Sequence, residues 1–244
     1  LNYFYLPHLS TSDLSAIAAG GDYDAVIAAA KIIPEDTRFP LGGVWICSGT
    51  ANMRSASWGG PNGTGGFAPL MNTPGVNARA TAQMVFRAIT RDHPDLPFGA
   101  LHGRIVRSDF DTSKHLRDCP TIKLEGRSIA IMGFGAIAQE VVRLAETFGM
   151  EVNVYARERH RRWIESLGYR YAAKPECAAS GAEFLTLHIG LGLIDTSDNR
   201  HANQGFLDRK LLSSLAGNAM VINFDRGELA EPDDLSDWLG SDPR

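Results

Sequence analysis

The chain contains no apolar run approaching the length of a membrane span and no secretory-leader pattern, so it is expected to act without a membrane. It has only three cysteines, Cys47, Cys119 and Cys177, odd in number and far apart. They make neither a disulfide framework nor a metal-ligand spacing, which suits a reducing cytoplasm, and no metal is expected. Each cysteine is expected as a small core residue. Charge of one sign is also scarce: 24 Lys and Arg against 28 Asp and Glu leave a net −4. That balance excludes a general pull towards nucleic acid or an anionic membrane. No solenoid-type repeat is visible. What remains is an ordinary globular composition, 44% apolar and 21% charged over 244 residues. It is enough for one large domain or two smaller ones with a substantial core.

The most informative stretch runs from Lys123 to Tyr155. A short apolar segment, Ser128 to Met132, leads into Gly133-Phe134-Gly135-Ala136-Ile137-Ala138. Apolar residues then recur at helical spacing, at Ile137, Val141, Leu144, Ala145 and Phe148, until Gly149 stops the helix. A second apolar run, Val152 to Tyr155, follows. Strand, glycine turn, helix and strand within about thirty residues give a G-x-G-x-x-A pattern the context of a dinucleotide site. Gly133 allows a tight turn. Gly135 has no Cβ to hold a diphosphate off the backbone, and Ala138 lets the helix lie close to the strand. The N–H groups of Ala136 and Ile137 then open a helix whose positive end attracts phosphate.

Before this stretch, Asn2 to Leu6 and Ala25 to Ala30 read as strands or short buried segments. Thr11 to Ala19 reads as a helix capped by Thr11 or Ser12, and Val44 to Cys47 as a strand. The loop Ser48-Gly49-Thr50-Ala51-Asn52 runs into a glycine-rich, irregular segment. Leu70 to Asn77 is a short strand and turn, with Asn77 capping a helix to about Ile89 that buries Ala82, Val85, Phe86 and Ile89. Leu101 to Pro120 is weakly periodic and reads as a connector. After Tyr155, helices are expected at Arg159–Leu167, Glu176–Ala179, Asp208–Leu215 and from Asp233, with strands at Tyr169–Ala172, Phe184–His188 and Ala219–Asn223. Such alternation means a parallel sheet covered on both faces. Five strands are counted where the dinucleotide fold usually has six, so the sheet is expected to be truncated at the C-terminus.

Five segments resemble the D-isomer-specific 2-hydroxyacid dehydrogenases, in that family's order: SGTAN, NTPGVNARATAQMV, LEGRSIAIMGFGAIAQEVVRLAETFGMEV, FLTLHIGL and FLDRKLLSSLAGNAMVINFDRGELAEPDDL. The resemblance implies two α/β domains. Residues 1–105 would be a flavodoxin-like substrate domain, with a hinge to about 120, and 121–244 a doubly wound Rossmann domain. It implies hydride transfer between a nicotinamide cofactor and a small 2-hydroxy or 2-oxo acid, in a homodimer.

Carried over residue by residue, the resemblance makes Arg226 the carboxylate-binding arginine and Asn77 a cleft residue. Ser48, Gly49, Thr50, Ala51 and Asn52 become the substrate loop. His188 and Ile189, with Phe224 and Asp225, fall beside the cofactor. The family's acid–base Glu and His lie beyond the arginine, and none of the seven histidines has the family's Pro-His context. The chain is therefore expected to continue past Arg244. The alternative is a catalytically silent, dinucleotide-sensing protein resembling the C-terminal-binding co-repressors.

The residues themselves address the choice of cofactor. NAD enzymes place a carboxylate about twenty residues after the glycines to take the ribose 2′-OH. Here that position is Ala156, followed by Arg157, Arg159, His160, Arg161 and Arg162. Cations at the start of a helix face its positive end, a cost that an anion would relieve. The cluster predicts NADP, with NAD as the alternative.

Overall fold

The computed structural model describes residues 3–6, 8–20, 22–29, 44–48, 70–72, 75–91, 97–117, 123–192, 194–195, 197 and 200–240. The chain divides into two compact units, Leu1–Asn77 and Ala78–Arg244.

The first unit contains α1 (Thr11–Ala19), β1 (Ala25–Ala29), β2 (Val44–Ser48) and β3 (Leu70–Asn72). The strands form a parallel sheet in that order, with Val26 opposite Trp45 and Cys47 opposite Asn72. The cap of α1 is Ser10 rather than Thr11 or Ser12. Its hydroxyl accepts from the Asp13 N–H at 3.1 Å while the Asp13 carboxylate accepts from the Ser10 N–H at 3.2 Å. This reciprocal box requires an acid three residues after the cap, and only Ser10 has Asp13 there. Residues 3–6 are not a strand, contrary to expectation: no ladder among the described residues takes their backbone groups, and Tyr3, Phe4, Tyr5 and Leu6 are exposed.

The second unit opens with α2 (Ala78–Arg91), α3 (Phe98–Val106) and α4 (Thr112–His115). The dinucleotide-type alternation follows: β4 (Ser128–Met132), α5 (Ala136–Thr147), β5 (Glu151–Tyr155), a 3₁₀ turn (Glu158–His160), α6 (Arg161–Ser166), β6 (Arg170–Ala172), α7 (Pro175–Ala179) and β7 (Phe184–Leu187). A small hairpin, β8 (Ile194–Asp195) with β9 (Arg200–His201), precedes α8 (Arg209–Ser213), β10 (Met220–Asn223), a second 3₁₀ turn (Gly227–Leu229) and α9 (Pro232–Gly240). The five main strands are parallel in the order β10-β7-β4-β5-β6. The chain thus works outward from β4 in one direction, then returns to the other side through β7. This doubly wound order opens a crevice at the carboxyl ends of β4 and β7.

Both sheet faces are buried, and the period of two divides the strand residues between them. Ile129 and Ile131 pack with Val85, Phe86 and Ile89 of α2 and Val141, Val142 and Ala145 of α5. Ala130 and Met132 pack on the other face with Ala178 and Ala179 of α7 and Leu211 and Leu212 of α8. α2 belongs to this second unit, lying along α5 with Phe86 stacked on Phe148 at 5.2 Å between ring centres.

Other sequence expectations are corrected in detail. The stretch read as an irregular connector carries α3 and α4. None of the nine α3 residues is buried, although Phe98, Leu101 and Ile105 stand at helical spacing along it. The helix expected over Arg159–Leu167 starts as the 3₁₀ turn and becomes α-helical only from Arg161. Cys177 is exposed rather than a core residue, because α7 turns Ala178 and Ala179 inward. The side chains of Cys47 and Cys119 lie outside the described residues.

Candidate dinucleotide site

The crevice is built by chain segments that leave the carboxyl ends of β4, β5, β7 and β10. Gly133 follows β4 with φ +110°, and its N–H donates to the Tyr155 carbonyl at 2.7 Å, tying β4 to β5. Beyond it, His188 donates its backbone N–H to the Met132 carbonyl at 2.8 Å, tying β4 to β7. The turn is therefore anchored on both sides before α5 begins.

The two glycines have different reasons to be glycine. A Cβ on Gly133 would stand 2.3 Å from the His188 carbonyl oxygen, so the fold itself forbids a side chain there. Gly135 has an ordinary φ of −82°, and a Cβ on it would meet no heavy atom within 4 Å. The space in front of Gly135 is open, and it faces the start of α5, where no cap side chain takes the first N–H groups. Open room, uncapped donors and the helix dipole fit the diphosphate of a dinucleotide. Ala138 is fully buried, letting α5 lie close to the sheet, while Gln139 Nε2 donates to the Phe134 carbonyl at 3.2 Å and stiffens the turn.

Past β5, Ala156 occupies the expected carboxylate position and is only 6% exposed. Arg157 caps the 3₁₀ turn and is exposed. The basic cluster is not uniform. Arg161 bridges Glu158 at 3.6 Å and Glu165 at 2.9 Å, and Glu158 also accepts from the Tyr171 hydroxyl at 2.9 Å. Arg161 is thus a framework residue, a correction to its grouping with its neighbours. Arg159 Nε donates to His160 Nε2 at 3.2 Å. Burial, then the Arg159 and Arg157 charges, hold the His160 imidazole below the ordinary histidine range.

Sequence reasoning missed the aromatic seat under this segment. Phe134, between the two glycines, meets Trp163 edge-on at 5.2 Å and His160 at 6.4 Å. The contact fixes α6 against the glycine turn, so the two halves of the site share one support. No spacing rule links Phe134 to Trp163; only the fold brings them together.

At the mouth, His188 shares a 2.9 Å hydrogen bond with the buried Thr186 hydroxyl. Burial pushes the imidazole down to about 4, so it is neutral at physiological pH. The next residues are clamped: Gly190 donates its N–H to Asp225 Oδ2 at 2.7 Å, and its carbonyl accepts from Asn203 Nδ2 at 2.9 Å. Asp225 therefore holds the loop after β7. Asn223 in turn shapes the segment after β10, accepting from the Asp225 N–H and donating to the Arg226 carbonyl, both at 2.9 Å. Arg226, half-buried, stands at the head of the second 3₁₀ turn, and Phe224 beside it is exposed.

The fold brings together Gly133, Gly135, Ala136, Ile137, His188 and Ile189. Asn77, exposed, ends the first unit. Ser48 closes β2, whereas Gly49, Thr50, Ala51 and Asn52 lie outside the described residues. Among the described residues no three His, Cys, Asp or Glu side chains gather as a metal site, and no helix is long and apolar enough to cross a membrane.

Comparison with known proteins agrees with this geometry. The chain is 29% identical over 176 residues to a glyoxylate reductase of Thermococcus litoralis, covering 68% of this chain and 48% of that protein. It is 24% identical over 170 residues to a D-3-phosphoglycerate dehydrogenase of Methanocaldococcus jannaschii, covering 70% and 30% respectively. The chain thus spans about half or less of these relatives' length. Solved structures share its fold. The TT0316 protein of Thermus thermophilus aligns with a TM-score of 0.64 at 20% identity, covering 98% of this chain and 70% of its own. The D-lactate dehydrogenase of Escherichia coli aligns at 0.60 and 16%, covering 95% and 68%. Residues 99–243 match the family model described as D-isomer specific 2-hydroxyacid dehydrogenase, NAD binding domain, and the chain belongs to that family.

Proposed function

We propose that the protein is an NADP(H)-dependent oxidoreductase of small 2-hydroxy and 2-oxo acids. One observation carries this reading: Gly135 opens onto free space at the uncapped start of α5, and the segment that follows β5 has Ala156 where an NAD enzyme keeps a carboxylate, with Arg157 and Arg159 just after it. Backbone N–H groups of Gly135, Ala136 and Ile137 hold the diphosphate, and Arg157 and Arg159 take the 2′-phosphate. When bound, the nicotinamide supplies or accepts the hydride. Around it, neutral His188 with Ile189 and Phe224 exclude water and set the ring's position. Arg226 binds the substrate carboxylate through its planar fork.

The protein acts as a cytoplasmic homodimer in this reading. Support comes from α3, which leaves Phe98 72%, Ile105 56% and Val106 70% exposed. The test follows NADPH absorbance with glyoxylate, hydroxypyruvate and pyruvate, and repeats it with NADH. Turnover of at least one acid with NADPH preferred is expected. Tight NADPH binding without turnover of any of them by the full-length protein favours a dinucleotide sensor instead.

A further inference from the structure

Placing the 2′-phosphate on Arg157 and Arg159 leaves His160 unexplained. Its Nε2 accepts from Arg159 Nε at 3.2 Å, and only an unprotonated ring nitrogen can accept, so the imidazole is neutral with its proton on Nδ1. The ring is held in an aromatic notch, 6.4 Å from Phe134 and 6.3 Å from Trp163. Phe134 brings no charge from the glycine turn. On its own segment His160 meets Arg157 and Arg159, both opposing a third positive charge. The nearby carboxylates offer little relief, since Glu158 is engaged by Arg161 and Tyr171, and Glu165 by Arg161. Arg162 adds another exposed cation.

We propose that Arg159 and His160 form a proton-operated latch on the 2′-phosphate site. With the imidazole neutral, Arg159 is held on His160. Proton uptake by His160 removes the acceptor, releases Arg159 and adds a third cation, beside Arg157 and Arg159, facing the phosphate. The latch rests on the NADP reading and regulates that same site.

The direction follows from charge. Burial does most to keep His160 unprotonated, and the Arg159 and Arg157 charges add to it; a dianionic 2′-phosphate opposes those charges, so binding takes up a proton. Affinity for the phosphate is full below the titration of the empty site and falls as pH rises through that of the occupied one. Below about pH 6 the phosphate itself takes up a proton and blunts the effect, so the useful window is about pH 6.5 to 8.5.

Isothermal titration calorimetry with adenosine 2′,5′-bisphosphate and with AMP, which differ by the 2′-phosphate alone, tests the latch without any turnover. Binding of the bisphosphate is expected to tighten from about pH 8.5 to 6.5, by up to about tenfold for each pH unit that separates the His160 titrations of the empty and occupied sites. AMP binding should show no such slope. His160→Gln should bind the bisphosphate with a flat profile, and its proton uptake, measured in buffers of different ionisation enthalpy, should vanish. A slope that survives His160→Gln overturns the latch and leaves the NADP assignment standing. A bisphosphate that binds no tighter than AMP at any pH overturns the NADP assignment, and the latch with it.

Discussion

Gly133 and the His188 carbonyl oxygen approach so closely that a single added carbon would sit 2.3 Å from that oxygen. The first glycine of the turn is thus demanded by the neighbouring strand, with or without a dinucleotide. Gly135 has no such neighbour. The two glycines of the motif therefore answer to different constraints, one set by the fold and one by the ligand space.

Gly133→Ala should destabilise the protein by about 3 kcal/mol or more, combining left-handed backbone strain with overpacking against β7. Gly135→Ala should change stability by no more than about 1 kcal/mol, the scale of an N-cap substitution. It should nevertheless weaken NADPH binding about tenfold or more, roughly 1.4 kcal/mol, by filling the phosphate space. Urea unfolding and calorimetry on both variants separate the two effects. Equal loss of stability in both would show that Gly135 is also required by the fold.

A double replacement, Ala156→Asp with Arg157→Ser, should turn cofactor preference towards NADH by about tenfold or more. Because Ala156 is nearly buried, a carboxylate there without a ribose partner costs more than the roughly 1–3 kcal/mol of a neutral polar group, or stays protonated. The variant should be less stable alone and recover on adding NADH. Unchanged selectivity in the ratio of the two dissociation constants would remove the basis for assigning the 2′-phosphate to this segment.

The β4–α5–β5 unit was legible because two signals coincide there: the apolar period switches from strand to helix and back, and glycines mark the turn. α3 was read as part of a connector because its stripe, Phe98, Leu101 and Ile105, is short and is interrupted by Gly99 and Gly103. The basic segment shows a third case. Its cations read as one patch, yet Glu158 and Glu165 stand three residues before and four after Arg161, the spacing of helical ion pairs, so Arg161's separate role was present in the sequence. The seat of Trp163 on Phe134 joins elements far apart in the chain and depends on how α6 returns to the turn. Nor does the sequence reveal that Asp225 holds the Gly190 N–H, because that bond exists only once β10 lies beside β7.

Arg226→Lys is the informative change at the substrate side. The segment around it is fixed by Asn223 through the Arg226 carbonyl and the Asp225 N–H, so the backbone should hold in the variant. Lysine keeps the charge but loses the two-pronged geometry that matches a carboxylate. Steady-state kinetics with glyoxylate should show kcat/KM lower by about a hundredfold, on the scale of losing one oriented transition-state contact. NADPH affinity should stay within about twofold, a change under about 0.5 kcal/mol. An equal loss of cofactor binding would place Arg226 in the dinucleotide site rather than at the substrate.

His188 makes the fold sensitive to acid, and the sign can be worked out. Its folded-state value is pushed down to about 4 by burial, against an ordinary 6.5. Above about pH 6.5 the imidazole is neutral in both folded and unfolded chains, so it has no effect on stability there. Between 6.5 and 4 the unfolded chain takes up the proton and the folded one does not, so stability declines as pH falls through that window. Its full extent is about 3 kcal/mol, from about 1.4 kcal/mol for each pH unit crossed. His188→Asn removes the titration while keeping a polar partner for Thr186. The variant should lose less stability than the wild type between about pH 7 and 4.5, even if it starts lower through imperfect packing. Urea unfolding across that range checks the difference in slope, which absolute stability cannot mimic. Parallel profiles would mean that His188 is already solvated in solution. The neutral, water-excluding wall it is proposed to form beside the nicotinamide would then have to come from Ile189 and Phe224 alone.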